Sequence, residues 1–346
     1  MSIERRDFIK GGLAAALMPA SSALAAEKKP EIWAGLLHIG QNMWSDIPVK
    51  EWLSYPTKEE LANVCGADHV RCDEAVWAAA TEHMAATGMN MIIVDLAEAL
   101  YYPSHPELAV KGTWSVEKMR AELARLRKLG LEPIPKLNFS TAHDLWLGDY
   151  ERMVSSKIYY KVCKDLIRDA WEIFDRPRFF HFGWDEESAG GQAMYSYSVV
   201  RQADLWWHDL LFFIDTIKDL GMRPWMWGDC YKDEAKCQEF IRRIPKDVVI
   251  SHWYYSDEFE NLKPKTARHI DWFRRLGEAG YDQLPTGTNF VRDGNMAGLV
   301  KFCKRTVPAS SLKGFMMAPW WPTHERYRER ILKAFDLTAA ARKEFA

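Results

Sequence analysis

The chain has 346 residues, 48% of them hydrophobic and 27% charged, with a formal net charge of −2. This is a globular composition of a length that suits one α/β barrel. The near-neutral charge balance argues against nucleic acid or an anionic membrane as a partner, since both need a concentrated basic surface. Sixteen tryptophans are the unusual feature, and several fall at the ends of expected strands, where flat indole faces suit sugar rings.

Residues 1–25 read as a twin-arginine signal peptide. Arg5-Arg6-Asp7-Phe8-Ile9-Lys10 precedes a small-residue apolar run from Gly11 to Leu24, and Ala23-Leu24-Ala25 fits a small-x-small cleavage site. The run is too short and too Ala-rich for a stable membrane anchor, and no Cys stands there for a lipid. The expectation is recognition by twin-arginine export machinery, a mature chain starting near Ala26, and a periplasmic or secreted location. Six cysteines are present. Cys65 with Cys72, and Cys230 with Cys237, are close enough in sequence to pair in an oxidising compartment. Export of an already folded chain would instead leave them as thiols.

From residue 27 to 346 the pattern is that of a single (β/α)₈ TIM barrel. Short runs apolar on both faces read as buried parallel strands: Ile32–Ile39, Met91–Leu96, Glu132–Phe139, Phe179–Trp184, Arg223–Trp227, Val248–Tyr254, Gln283–Thr288 and Phe315–Trp320. Amphipathic segments follow them in turn: Asp73–Thr87, Ser115–Leu129, Lys157–Phe174, Gln202–Leu220, Glu234–Ile244, Thr266–Ala279, Met296–Val307 and Glu325–Ala339. Eight such pairs in order close a barrel, whose sites lie at the C-terminal strand ends. Two long connections, Gly40–Cys72 and Ala97–Trp114, are expected to wall the cleft.

The strand ends carry the chemistry. In order they present Asp95; Asn138 with His143; Asp185 and Glu186; Trp227 and Asp229; Trp253, Tyr254 and Tyr255; and Trp320 with Trp321. Carboxylates, amides and aromatics thus converge on one rim. Cleavage of a glycosidic bond needs an acid for the leaving oxygen, a second group for charge at the anomeric carbon, and apolar platforms for the ring. Asp185-Glu186 is the sharpest signal: two close carboxylates raise each other's proton affinity, as a general acid requires. A solvated acidic turn at a helix start is the bland alternative. This chemistry needs neither metal nor cofactor, and no CxxC or CxxH cluster offers a zinc site.

The stretch Phe180-His181-Phe182-Gly183-Trp184-Asp185-Glu186 resembles the His-x-Gly-Gly-Asp-Glu signature of glycoside hydrolase family 20, the β-N-acetylhexosaminidases. Pro133–Asn138 leading to His143, Trp227-Gly228-Asp229, Trp253-Tyr254 and Trp320 are similar to that family's other strand tips. The resemblance implies Glu186 as general acid/base, and Asp185 as the partner that orients a substrate 2-acetamido group whose oxygen attacks the anomeric carbon. Trp227, Trp253 and Trp320 would wall the sugar pocket, Tyr254 or Tyr255 would hydrogen-bond the acetamido oxygen, and His181 and His143 would support the carboxylates. The signature's second Gly is Trp184 here, and Leu36-Leu37-His38-Ile39-Gly40 offers no counterpart to the family's strand-1 Arg. The expectation is a divergent member without the small preceding domain. For a substrate with no acetamido group, Asp95 or Asp229 becomes the second carboxylate. Two other readings stay open: a carbohydrate-binding barrel without catalysis, and a metal-dependent sugar-processing barrel using His38, Asp95, His181 and Asp185.

Overall fold

The structure is a computed structural model that describes residues 31–44, 65–190, 192, 196–229 and 233–344. The twin-arginine segment, most of the connection after the first strand, and Cys230 lie outside these residues. Eight strands form one parallel sheet: β1 (Ile32–His38), β2 (Met91–Asp95), β3 (Glu132–Lys136), β4 (Phe179–His181), β5 (Arg223–Trp227), β6 (Val249–Ser251), β7 (Thr286–Gly287) and β8 (Gly314–Met317). Their order is β6-β5-β4-β3-β2-β1-β8-β7, and parallel bridges Ile250↔Gln283 and Trp253↔Thr286 join the two ends into a barrel. Among the described residues eight α-helices alternate with the strands: α1 (Glu74–Ala86), α2 (Val116–Lys128), α3 (Lys157–Ile173), α4 (Ala203–Asp219), α5 (Glu234–Arg243), α6 (Pro264–Glu278), α7 (Asn295–Thr306) and α8 (Arg328–Glu344). The (β/α)₈ barrel expected from the sequence is therefore present. No described helix is long and apolar enough to cross a membrane.

Local chemistry sets the element ends. Asp73, Ser115, Ser156 and Asp233 cap α1, α2, α3 and α5 by accepting backbone N–H bonds with their side chains. Proline shortens the ladder. In β3, even-numbered residues face β2 and odd-numbered ones face β4, as Glu132 N–H to Asn90 and Leu137 N–H to His181 show. Pro133 and Pro135 therefore withhold two donors from β4, and only Lys136↔His181 pairs there. Pro285 likewise trims β7 from the expected Gln283–Thr288 to two residues.

Strand parity divides the interior. Ile32, Ala34, Leu36, Met91, Ile93, Ile134, Phe179, Trp225, Val249 and Met316 point into the barrel and form its inner core. Their alternates, such as Trp33, Leu37, Phe180 and Phe182, pack outward against the helices. Following the inward parity toward the C-terminal ends leads from this apolar base to His38, Asp95, Lys136 and His181, and one step higher to Asn138, Trp227, Trp253 and Trp320. Cys72 is a free thiol, so its expected pairing with Cys65 is not made.

Candidate active site

A cavity of about 250 Å³ opens at the C-terminal mouth of the barrel. Its lining comprises Lys136, Asn138, His143, Asp185, Glu186, Trp227, Trp253, Tyr255 and Trp320 from the strand ends, Met43 and Trp44 after β1, and Phe290 and Val291 after β7. The aromatic wall is continuous. Trp320 lies 5.7 Å from Trp227, 6.0 Å from Trp44 and 6.5 Å from Tyr255, and Tyr255 stacks on Trp253 at 4.9 Å. The indole N–H of Trp227 is buried without a hydrogen-bond partner among the described residues. Buried donors of this kind are costly unless something satisfies them, and a polar ligand in the cavity would.

The carboxylates differ in what holds them. Asp185 Oδ1 accepts from Asn138 Nδ2 at 2.8 Å, and Oδ2 lies 3.3 Å from His143 Nε2. Burial opposes its charge, but His143, Lys136 and Asn138 outweigh burial and hold the carboxyl well below the usual range. Glu186 Oε2 also stands 3.3 Å from His143 Nε2, yet 43% of its side chain is exposed. His143 Nδ1 contacts the carbonyl oxygen of Met43 at 2.9 Å. A carbonyl can only accept, so Nδ1 carries a proton while Nε2 faces two acids. The doubly protonated ring faces an acceptor on each side. Burial disfavours that cation, and Asp185 and Glu186 reverse the preference and raise its pKa well above the ordinary value.

Below lies a charged layer. Lys136 Nζ is 2.7 Å from Asp95 Oδ2, and His38 Nδ1 is 3.0 Å from the same oxygen. All three side chains are buried, and Asp95 is held anionic by Lys136 and His38 against the effect of burial. Lys136, 1% exposed, presents the ammonium end of this layer to the cavity floor. The ammonium is already the cation that Asp95 needs, which argues against Asp95 as a ligand in the metal-dependent reading. His181 is fully buried beneath Trp227, with ring centroids 4.7 Å apart. Its Nδ1 accepts the Gly183 N–H, and burial together with Lys136 keeps the ring neutral.

The tip of β4 is bent to present the acid pair. Gly183, Trp184 and Glu186 have φ values of 76°, 76° and 51°. At Gly183 a Cβ would sit 1.9 Å from Asn138 Oδ1. Trp184 takes the same left-handed conformation, which costs a non-glycine residue energy. Its outward parity explains why it is tolerated: the indole packs between Trp206 and Phe213, with the Arg201 guanidinium 4.6 Å above it. It does not line the cavity. Glu187 anchors the other end. Its carboxylate accepts from Thr141 N, Thr141 Oγ1, Ser140 Oγ and Arg201 Nη1 at 2.7–3.0 Å. Arg201 also reaches Asp209 at 2.8 Å, with both side chains fully buried.

Of the residues singled out in the sequence, Asn138, His143, Asp185, Glu186, Trp227, Trp253, Tyr255 and Trp320 meet in this cavity. Five do not line it. Asp95 and His181 form the layer beneath. Asp229 stands behind Glu186, with Oδ2 accepting the Glu186 backbone N–H at 2.8 Å and Oδ1 accepting from Trp253 Nε1. Burial, then the nearby charge of Asp185, pushes its carboxyl up to about 7. Tyr254 points outward and donates its hydroxyl to Glu258 O at 2.9 Å. Trp321 stacks on Tyr327 and meets Phe290 at a tilt of 46°, outside the cavity lining. Parity accounts for both corrections, since each neighbours an inward residue. The connection after β1 contributes Met43 and Trp44 to the wall as expected, whereas Ala97–Trp114 contributes no lining residue. Lys136, Phe290 and Val291 escaped sequence reasoning. Lys136 shares the inward parity of Ile134 and Asn138, which was a usable signal; the two loop residues had none.

No protein-family model and no curated protein sequence matches the chain. Solved structures match across most of it. An exo-β-N-acetylglucosaminidase of glycoside hydrolase family 20 from Vibrio harveyi, in complex with N-acetylglucosamine, has a TM-score of 0.59 at 12% identity, covering 91% of this chain and 57% of that one. A β-N-acetylhexosaminidase from Bacteroides fragilis gives 0.56 at 12%, covering 89% and 65%. Dispersin B gives 0.56 at 11%, covering 90% and 99%. The chain therefore spans under two thirds of the first two structures but nearly all of the third. The shared feature is the fold, a parallel eight-stranded barrel like those of the family-20 enzymes.

Proposed function

We propose that this protein is a glycoside hydrolase that removes a terminal 2-acetamido sugar by substrate-assisted, retaining catalysis. The observation that carries the reading is the pairing of Asp185 and Glu186 at one wall of an aromatic cavity, with opposite environments. Asp185 is held anionic and fixed by Asn138 and His143. It suits accepting an acetamido N–H, which turns the acetamido oxygen toward the anomeric carbon. Glu186 is partly exposed and free to carry a proton to the glycosidic oxygen. As the bond breaks, the acetamido oxygen closes on the anomeric carbon and the leaving group departs with the Glu186 proton. Glu186 then takes a proton from the water that opens the cyclic intermediate. Trp227, Trp253 and Trp320 supply ring faces, and the unpaired indole N–H of Trp227 supplies a donor. The likeness in fold to family-20 enzymes supports the same reading. The twin-arginine motif supports action outside the cytoplasm, which mass measurement of the mature N-terminus, expected near Ala26, would test.

The test of function is a panel of 4-nitrophenyl glycosides with and without the 2-acetamido group. An intramolecular nucleophile favours the acetamido substrates by about two orders of magnitude or more in kcat/KM. Equal activity without that group rules out substrate assistance, and the absence of turnover on every glycoside favours a binding barrel.

A further inference from the structure

Glu186 stands on a left-handed backbone. Its φ is 51°, a conformation that costs energy in any residue with a Cβ, and 43% of its side chain is exposed, so packing does little to fix it. Asp229, at the tip of β5, meets that backbone. Its Oδ2 accepts the Glu186 N–H at 2.8 Å, and its Oδ1 accepts the indole N–H of Trp253, a ring of the cavity wall. One carboxyl group thus joins the acid to the aromatic platform. Both ends of this link are anchored in the barrel. Gly228, beside Asp229, donates its N–H to Ser251 O at 3.2 Å and accepts the Trp272 indole N–H at 2.9 Å. The carbonyl oxygen of Trp253 lies 2.8 Å from His269 Nε2. Asp229 itself does not line the cavity, so it acts on a sugar only through these two neighbours.

We infer that Asp229 is a positioning residue for proton delivery: by bonding the Glu186 N–H and the Trp253 indole together, it fixes the acid relative to the ring face on which the sugar rests. The inference rests on the function proposed above and deepens it. A general acid works only within hydrogen-bond reach of the leaving oxygen, and a misplacement of about 1 Å costs about 10²-fold in rate. The link requires a carboxyl group. Each of its oxygens offers an acceptor, whereas an amide keeps one acceptor and turns a donor toward the other N–H. Asparagine at this position therefore breaks one of the two bonds while keeping the size of the side chain.

The experiment measures kcat/KM for phenyl and 2,4-dinitrophenyl N-acetyl-β-glucosaminides, using the wild type and the Asp229→Asn and Trp253→Phe variants. Phenolate leaves slowly without a proton, whereas 2,4-dinitrophenolate is a stable anion and leaves unaided. A displaced acid therefore slows the phenyl substrate alone. Asp229→Asn is expected to lower the phenyl-to-dinitrophenyl ratio by about tenfold to hundredfold. Trp253→Phe keeps an aromatic ring and removes only the N–H. It is expected to lower the ratio by about threefold, and it decides the matter if Asp229→Asn does not fold. A purely structural role slows both substrates alike, so a ratio unchanged in every folded variant overturns the positioning role and leaves the hydrolase reading intact. Failure of the wild type to cleave either substrate overturns the hydrolase reading, and the positioning role with it.

Discussion

Asp185 and Glu186 are adjacent in sequence and equidistant, at 3.3 Å, from His143 Nε2, but only Asp185 is fixed by a further hydrogen bond, from Asn138. One imidazolium thus faces two carboxylates that sit in different environments. Environments that set neighbouring carboxylates apart are a recurring means of assigning acid and anion roles.

The ion pair gives a pH signature. The folded pKa of His143 is raised, so its stabilising contribution is fully present below the ordinary His value near 6.5 and is lost as pH rises through the raised value. Asp185 is depressed, so its contribution holds above the usual carboxylate range and is lost only in strong acid. His143→Gln should therefore destabilise the fold more at pH 5.5 than at pH 9.5 in chemical denaturation. An equal loss at both pH values would show that His143 is neutral in the folded protein.

Asp229 should act in the opposite sense. Its raised pKa, about 7, means that the folded state retains a proton which the unfolded chain loses near pH 4. Stability attributable to this group falls as pH rises from about 4 to about 7 and is level beyond. Asp229→Asn removes that slope, so the variant should gain stability relative to wild type between pH 5 and pH 8. A constant difference across that interval would contradict the assignment.

Trp184 sets strain against packing. Glycine in its place would relieve a left-handed conformation worth about 1–2 kcal/mol. Removing a large buried aromatic costs about 3–5 kcal/mol. Packing wins, so Trp184→Gly should lower unfolding free energy by about 1–4 kcal/mol in denaturant titration. A stabilised variant would mean that strain dominates.

The buried Lys136–Asp95 pair is similarly exposed to a single change. Lys136→Met leaves the Asp95 carboxylate without its main partner, which should cost about 3–5 kcal/mol. The double variant Lys136→Met/Asp95→Asn should recover part of this. Additive losses in the double variant, measured by the same denaturation, would show that the two groups are not coupled.

Much of the barrel was legible because its strands are apolar on both faces and its helices are amphipathic, so periodicity separates them. The acid pair was legible because it ends a buried strand. Parity within the strand ends was the information left unused. It turns Tyr254 and Trp321 outward and brings Lys136 inward, since each strand residue faces opposite to its neighbour. Asp95 and His181 obey the inward parity yet sit one layer too deep, and depth depends on strand stagger, which periodicity does not encode. Phe290 and Val291 reach the cavity from a connection whose path is set by tertiary packing. The tolerance of Trp184 at a glycine position depends on Arg201, Trp206 and Phe213, residues 17 to 29 positions away, and is a property of the assembled fold.

Glu186→Gln tests the proposed delivery of the proton by Glu186. Hydrolysis of a β-1,4-linked N-acetylglucosamine tetrasaccharide should fall by about 10²–10⁴ in kcat, while calorimetric titration still detects binding of the same oligosaccharide. A Glu186→Gln enzyme that turns over the tetrasaccharide at close to the wild-type rate would contradict the account.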